Sequence, residues 1–519
     1  MTKRRVDAMT GAWVRMVGLA TVLVAVLPRH LTAVQCPDGT PPPCRGARVS
    51  PAPLPSVAVL VFESRSRDSN DVYLAEGISD ELTTRLGRLG KLAVRSESAA
   101  RNFHAGTQSP QEIGRALNVT YLATGTVRRG GPRVRVSVEL TRAATAERVW
   151  GEQYDRATDD VLRTEDEVAE AIATAIAGHL APAERARLSR APTANNAAWD
   201  HYLRGMFQFR KRNSEAMNIA WTEFSAAVSL DPSFADAHAQ LGAVGNISGF
   251  MHHTVAGMSA DSVFARGERE TQIALRLDSA SAQAWANLST IRSLRYPQTY
   301  AGVKEAVDRA LALDSLGDQI NFVAGGRYAT LGDIPTALRL FRRAHEADPL
   351  NGLTMAQMVF GYWRLGRLAE ALAAVDSFVA LSSTGRGPLG LRALLRVAAG
   401  DTAGARRDLA SAITFGGTLE TEERVARIWV GDTSGAGQHV DSLRTGFSRS
   451  AEFRYGFDLA ILLLTLGDRA GALDVLERIQ PRSISLGATL RNIPVFDPLA
   501  NEPRFRALLA EMRPPAASR

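Results

Sequence analysis

The stretch DQINFVAGGRYATLGDIPTALRLFRRAHEADPLN, Asp318–Asn351, decides the architecture of this chain. It is 34 residues long and splits at Leu331-Gly332-Asp333 into two halves of helical periodicity. Gly325 and Tyr328 stand in the first half, Ala337, Phe341 and Ala344 in the second, and Pro349 closes it. Two antiparallel helices that cross closely need a small residue where the backbones approach and a large ring beside it. A glycine just past the first helix and a proline just past the second supply the stops. One such pair cannot bury its apolar side alone, so it must stack on copies of itself.

The copies are present. His201–Phe234 repeats the second half in register, with Ala220, Phe224, Ala227 and Pro232, and Leu241-Gly242 and Trp285/Leu288 open the next two pairs. The turn glycines Gly332, Gly366 and Gly400 stand 34 apart, and Gly431 and Gly467 follow at 31 and 36. Helix-ending aspartates Asp231, Asp278, Asp314 and Asp348 are spaced 47, 36 and 34, which places about 13 extra residues within Gly245–Ala260. That stretch holds the paired histidines His252 and His253, which lack a carboxylate or cysteine at helical spacing and read as loop, not metal ligands. About eight helix pairs are expected over residues 201–486, with 487–519 as a C-terminal cap containing a short helix after Glu502-Pro503. Period and residue types resemble the tetratricopeptide (TPR) repeat. The resemblance implies an all-α superhelical solenoid whose first helices line a groove for a protein or peptide partner, and it puts Phe322, Phe360, Trp363 and Arg364 on that groove.

Ahead of the repeats, residues 56–182 alternate strand and helix patterns. Ser56–Phe62 is a continuous apolar run, as in a strand buried on both faces. Tyr73–Leu89 carries Leu74, Ile78, Leu82, Leu86 and Leu89 at helical spacing, and Leu92–Arg95 is a short strand. Ser109-Pro110 starts a further helix. Tyr121–Arg128, the turn at Gly130–Pro132 and the alternating Val134–Leu140 form a hairpin, Val149–Tyr154 adds a strand, and Asp159–Leu180 closes with a helix. The order predicts an α/β unit with a mixed sheet, joined to the repeats by a linker over 183–200. Glu76 and Asp80 share a helix face, but a solvated face explains them, and Glu152 and Asp155 are read as structural. The segments SVAVLVF (56–62), YLAEGISDEL (73–82), YLATGTVRR (121–129), RVRVSVEL (133–140) and WGEQYDR (150–156) resemble the TolB amino-terminal-like domain. The resemblance implies a place ahead of TPR arrays in bacterial proteins, often attached to serine/threonine kinase, adenylate cyclase or winged-helix modules. It carries no catalytic residues over.

The N-terminus carries a targeting pattern. Basic residues over 1–15 precede the apolar Met16–Leu27 (MVGLATVLVAVL). Leu31 and Gln35 make poor cleavage and lipid-attachment sites, so residues 16–34 are expected to be an inner-membrane anchor holding the bulk in the periplasm. Secretion after signal cleavage is the alternative. Residues 35–55 form a Pro-rich linker in which Cys36 and Cys44, the two cysteines, are spaced for a small disulfide ring. The formal charge of +7 comes from 61 basic residues against 54 acidic ones without long like-charge runs, so no nucleic-acid partner is expected. Phosphate-loop, dinucleotide, serine-hydrolase, zinc-protease and kinase motifs do not occur. The chain is therefore expected to be a non-enzymatic scaffold without catalytic, cofactor or metal residues. The rival expectation is a sensory or regulatory subunit related to receptor kinases, its α/β domain binding a ligand, its repeats transmitting the signal or pairing in a homodimer.

Overall fold

The computed structural model describes residues 54–512, apart from 69–70, 104–105, 189–190, 212, 252–254, 295–301, 350, 382–385, 416–420, 451–452 and 480–481. Cys36, Cys44, the apolar segment 16–34 and the pair His252-His253 lie outside the described residues. The fold is an α/β layer with a mixed sheet followed by an all-α solenoid of TPR type.

In the sheet, β1 (Ser56–Val59) pairs in parallel with both β3 (Ala93–Val94) and β4 (Tyr121–Gly130), and β2 (Glu63–Ser64) pairs with β4. β5 (Arg133–Arg142) and β6 (Glu147–Ala157) extend β4 as an antiparallel meander, giving the order β3-β1-β4-β5-β6. The apolar run of β1 is needed because both its faces are covered. Val57 and Val59 join the core under α1 (Val72–Gly87) and the later helix Val161–Ala177, while Ala58 and Leu60 join the core under the helices on the other side. Those are α2 (Glu97–Ala100) and α3 (Pro110–Leu117). α3 starts with a capping box in which Ser109 and Glu112 satisfy each other's backbone amides, and it ends on Asn118 in the left-handed region. β5 is one-sided: Val134, Val136, Val138 and Leu140 are buried while Arg133 and Arg135 are exposed.

After α4 (Val161–Ala177) and α5 (Pro182–Leu188), eight helix pairs follow among the described residues, and the two helices pack on each other in every pair but the seventh. They are Asn196–Phe209 with Ser214–Leu230 (α6, α7), Ala235–Met251 with Ala260–Leu277 (α8, α9), Ala282–Leu294 with Val303–Leu313 (α10, α11), and Asp318–Thr330 with Ile334–Ala347 (α12, α13). The series continues with Gly352–Arg364 and Leu368–Leu381 (α14, α15), Arg386–Ala398 and Thr402–Ile413 (α16, α17), Thr421–Trp429 and Ala436–Ser450 (α18, α19), and Phe453–Thr465 and Arg469–Arg478 (α20, α21). The Leu-Gly-Asp turn has a plain mechanism. Gly332 at φ +87° ends α12, and Asp333 accepts from the Thr336 amide to cap α13. Asp401 and Asp468 repeat the cap after Gly400 and Gly467. Gly325 is small because a Cβ there would lie 2.6 Å from the Phe341 ring. The extra residues of the second pair lengthen α8 through Met251, so the helix runs well into the stretch read as an inserted loop.

No helix among the described residues is long and apolar enough to cross a membrane. This corrects the expectation of an inner-membrane anchor. That expectation rested on residues 16–34 and on the poor processing sites at Leu31 and Gln35, but the continuous apolar run within them is twelve residues, short of the roughly 20 that a hydrocarbon core takes.

The α/β layer and the first repeat share one core. Trp199 and Leu203 of α6 and Phe234 before α8 are buried in the same cluster as Leu74, Ile78 and Leu82 of α1. Gly77 of α1 sits where a Cβ would be 2.8 Å from Leu203.

Candidate functional site

First helices of neighbouring pairs stack on each other from α8 through α10 to α12 and from α16 through α18 to α20, and these form one wall of the solenoid. Across part of that wall lies the chain's own C-terminal segment: α22 (Ile484–Asn492), a 3-10 turn (Pro494–Leu499) and α23 (Pro503–Glu511). α22 packs on α10, α12 and α14, the first helices of the third, fourth and fifth pairs, and the 3-10 turn reaches α14 and α20. Asn492 donates to the Ala329 carbonyl at the end of α12 (3.1 Å), and the Ser485 hydroxyl meets Ser293 on α10 (3.4 Å). Phe496 is the wedge of the turn. It is 1% exposed, with its ring 5.5 Å from Phe457 of α20 and 6.4 Å from Phe505 of α23.

Among the groove residues chosen from sequence, Phe360 and Trp363 stack on each other at 6.4 Å on α14, and Phe322 of α12 tilts against Phe341 at 6.1 Å. All three are half-buried at the edge of the large core that also holds Leu486, Leu490, Val495 and Phe496. Arg364 is exposed and donates to Asp497 of the 3-10 turn at 2.5 Å. Asp497 and Phe496 were not singled out in the sequence. The signal was there in Asn492–Pro498, a proline-flanked aromatic run after the last pair.

Two ionic clusters lie here: one ties α1 to α4 and α5, and the other fastens the α/β layer to the first repeat. In the first, Arg85 is fully buried and faces Glu81 (2.7 Å), Glu165 (3.5 Å), Asp166 and the Leu188 carbonyl (3.1 Å). Burial raises the Glu81 carboxyl, and burial together with the Glu81 charge raises Glu165. In the second, Arg101 reaches Glu76 (2.6 Å), Asp80 (3.1 Å) and Glu97 (2.5 Å). Arg210, at the end of α6, adds Glu97 (2.6 Å) and Asp80. Burial pushes the Arg210 guanidinium down to about 10 and raises Glu97. Glu76 and Asp80 thus form no solvated face, because two arginines distant in sequence close over them. Asp155 is held low by Arg135 and Arg133 at the sheet edge, and Glu152 accepts from Tyr154 at 3.0 Å. Among the described residues no group of three or more His, Cys, Asp or Glu side chains is placed to hold a metal ion.

No family model matches the chain. A protein of Rhizobium meliloti (strain 1021) with the provisional name adenylate cyclase 3 is 29% identical over 187 residues, 36% of this chain. The chain spans about a third (32%) of that relative's length. The relative's name corrects the expectation that the chain is not an enzyme. Among solved structures, yeast Tom70 is 14% identical, covering 68% of this chain and 82% of its own at a TM-score of 0.38. YrrB, a TPR protein with an unusual peptide-binding site, is 17% identical over 37% of this chain and 91% of its own (TM-score 0.28). TolB from Acinetobacter baumannii is 18% identical over 24% of this chain and 29% of its own (TM-score 0.21).

Proposed function

We propose that the chain is a protein-binding scaffold in a signalling assembly of the nucleotide-cyclase type, with a TolB-like α/β domain fixed to one end of its repeats. The observation that carries the binding role is the wall of first helices. It already holds a polypeptide segment, by an aromatic wedge at Phe496 and an Arg364–Asp497 pair of 2.5 Å. A partner segment with a helix followed by a proline-flanked aromatic and an acid would use the same wall, with Phe322, Phe360, Trp363 and Arg364 in contact. The cyclase connection is supported by the 29% identity to the Rhizobium protein. It agrees with the output modules that the TolB-like resemblance implies.

Crosslinking in the native cell followed by mass spectrometry, with intact chain and with Trp363→Ala and Arg364→Glu, tests the reading. Loss of the same partner in both variants is expected, and identical partner sets would refute the wall as the binding surface. ATP turnover by the purified chain, followed by cyclic nucleotide formation, measures directly whether this chain itself carries the catalytic step.

A further inference from the structure

A second feature is independent of the repeat wall. Between the α/β layer and the first helix pair lies a cleft of about 1020 Å³, lined from three directions. The loop before α1 contributes Arg67 and Asp71, the end of β4 contributes Arg128 and Arg129, and the first helix pair contributes Arg204, Phe207 and Lys211 from α6 and its C-terminal turn and Ile219 from α7.

The floor is charge-balanced. Arg129 pairs with Asp71 (3.6 Å) and Arg204 with Asp200 (2.8 Å). Both guanidiniums donate to the Tyr73 hydroxyl at 3.3 Å, and that hydroxyl donates to Asp200. The Arg204 guanidinium also lies 4.9 Å over the Tyr73 ring. Glu223, the remaining acid on the α7 side, is engaged by His201 at 2.6 Å.

The rim carries three cations against one acid, Asp68. Arg67, Arg128 and Lys211 are exposed and have no acidic partner among the described residues. Lys211 rests 4.3 Å over the Phe207 ring, and Ile219 opposite is 38% exposed. Three cations against one acid on the rim, above a neutral floor, suit a multivalent anion better than a single carboxylate. Guanidinium forks match phosphate oxygens in particular. The volume lies at the upper end of ordinary ligand pockets, about 300–1000 Å³.

We propose that this cleft binds a phosphate-bearing small molecule, its phosphates on Arg67, Arg128 and Lys211 and its apolar portion against Ile219 and the edge of Phe207. Such a ligand touches the α/β layer and the first repeat at once, so its binding energy adds to their docking.

Titration calorimetry of the full chain with ATP, inorganic tripolyphosphate and adenosine tests the proposal. ATP and tripolyphosphate should bind saturably and more weakly as salt rises, and adenosine should not bind. ATP should bind more tightly than tripolyphosphate because its nucleoside packs on Ile219 and Phe207, and equal affinities would overturn that contact. The double variant Arg128→Glu/Lys211→Glu changes exposed side chains only and should weaken both by roughly tenfold or more. Absence of saturable binding up to millimolar ligand would overturn the proposal. So would unchanged affinity in the double variant, or adenosine binding as tightly as ATP.

Discussion

Replacing Phe496 with alanine probes the C-terminal segment at its most buried point. The ring is 1% exposed and lies between Phe457 and Phe505. A buried Phe→Ala change costs about 3–5 kcal/mol, and each aromatic pair adds about 0.5–1.5 kcal/mol to simple burial. With some relaxation of the site, about 4 kcal/mol is expected. Because a repeat array need not unfold in one step, a single melting midpoint would blur the effect. Hydrogen exchange with mass spectrometry localises it instead. Amides that exchange through release of the segment should speed up by as much as about a thousandfold, the equivalent of 4 kcal/mol. The informative peptides are those of α10, α12 and α14, which lie more than a hundred residues earlier yet carry α22. Faster exchange confined to residues 453–512, with 282–364 unchanged, would refute the claim that the segment ties these pairs together.

Other perturbations follow from the same contacts. Gly325→Val puts a Cβ within 2.6 Å of the Phe341 ring and should destabilise by about 1–3 kcal/mol, read as a lower denaturation midpoint. Arg85→Met leaves Glu81 and Glu165 buried without their counter-charge, at a cost of about 3–5 kcal/mol in urea titration at pH 8. Both acids already have raised pKa values, so they take up protons first, and the deficit should shrink at pH 5. Asp318 is raised from 3.8 to about 6 by burial and then by the charges of Asp348 and Glu97. A raised acid costs stability in full above its folded pKa, and that cost fades as pH falls from the folded value towards the unfolded one. Asp318→Asn should therefore stabilise the chain at pH 7–8 by about 1–2 kcal/mol, allowing for partial exposure, and give no gain at pH 4.

Sequence patterns reached different depths in different places. The both-sided burial of β1 and the one-sided burial of β5 were written in a continuous and an alternating apolar run. Gly332, Gly366 and Gly400 marked turns because each needs a positive φ that few other residues take up without strain. Glu76 and Asp80 show the limit. Their spacing is the same whether water or arginine covers them, and the covering side chains, Arg101 and Arg210, come from elements that only the tertiary fold brings near. Arg85 left a fainter trace, a cation inside the apolar stripe of Ile78, Leu82, Leu86 and Leu89. The aromatic run around Phe496 was visible, but where it seats on the solenoid was not. It depends on the curvature accumulated over eight pairs, a sum of small rotations that no single repeat encodes.

The C-terminal segment also changes the mechanics of the solenoid. A free superhelix of helix pairs is a soft spring, since each pair can rotate slightly on its neighbour. Here α22 and the 3-10 turn run from the third pair to the eighth as a tie rod runs across an arch. Pulling the ends apart loads that tie before it loads the interfaces between repeats. The extension curve of this chain should therefore open with one stiff rupture, and only afterwards show the compliant unwinding of the pairs.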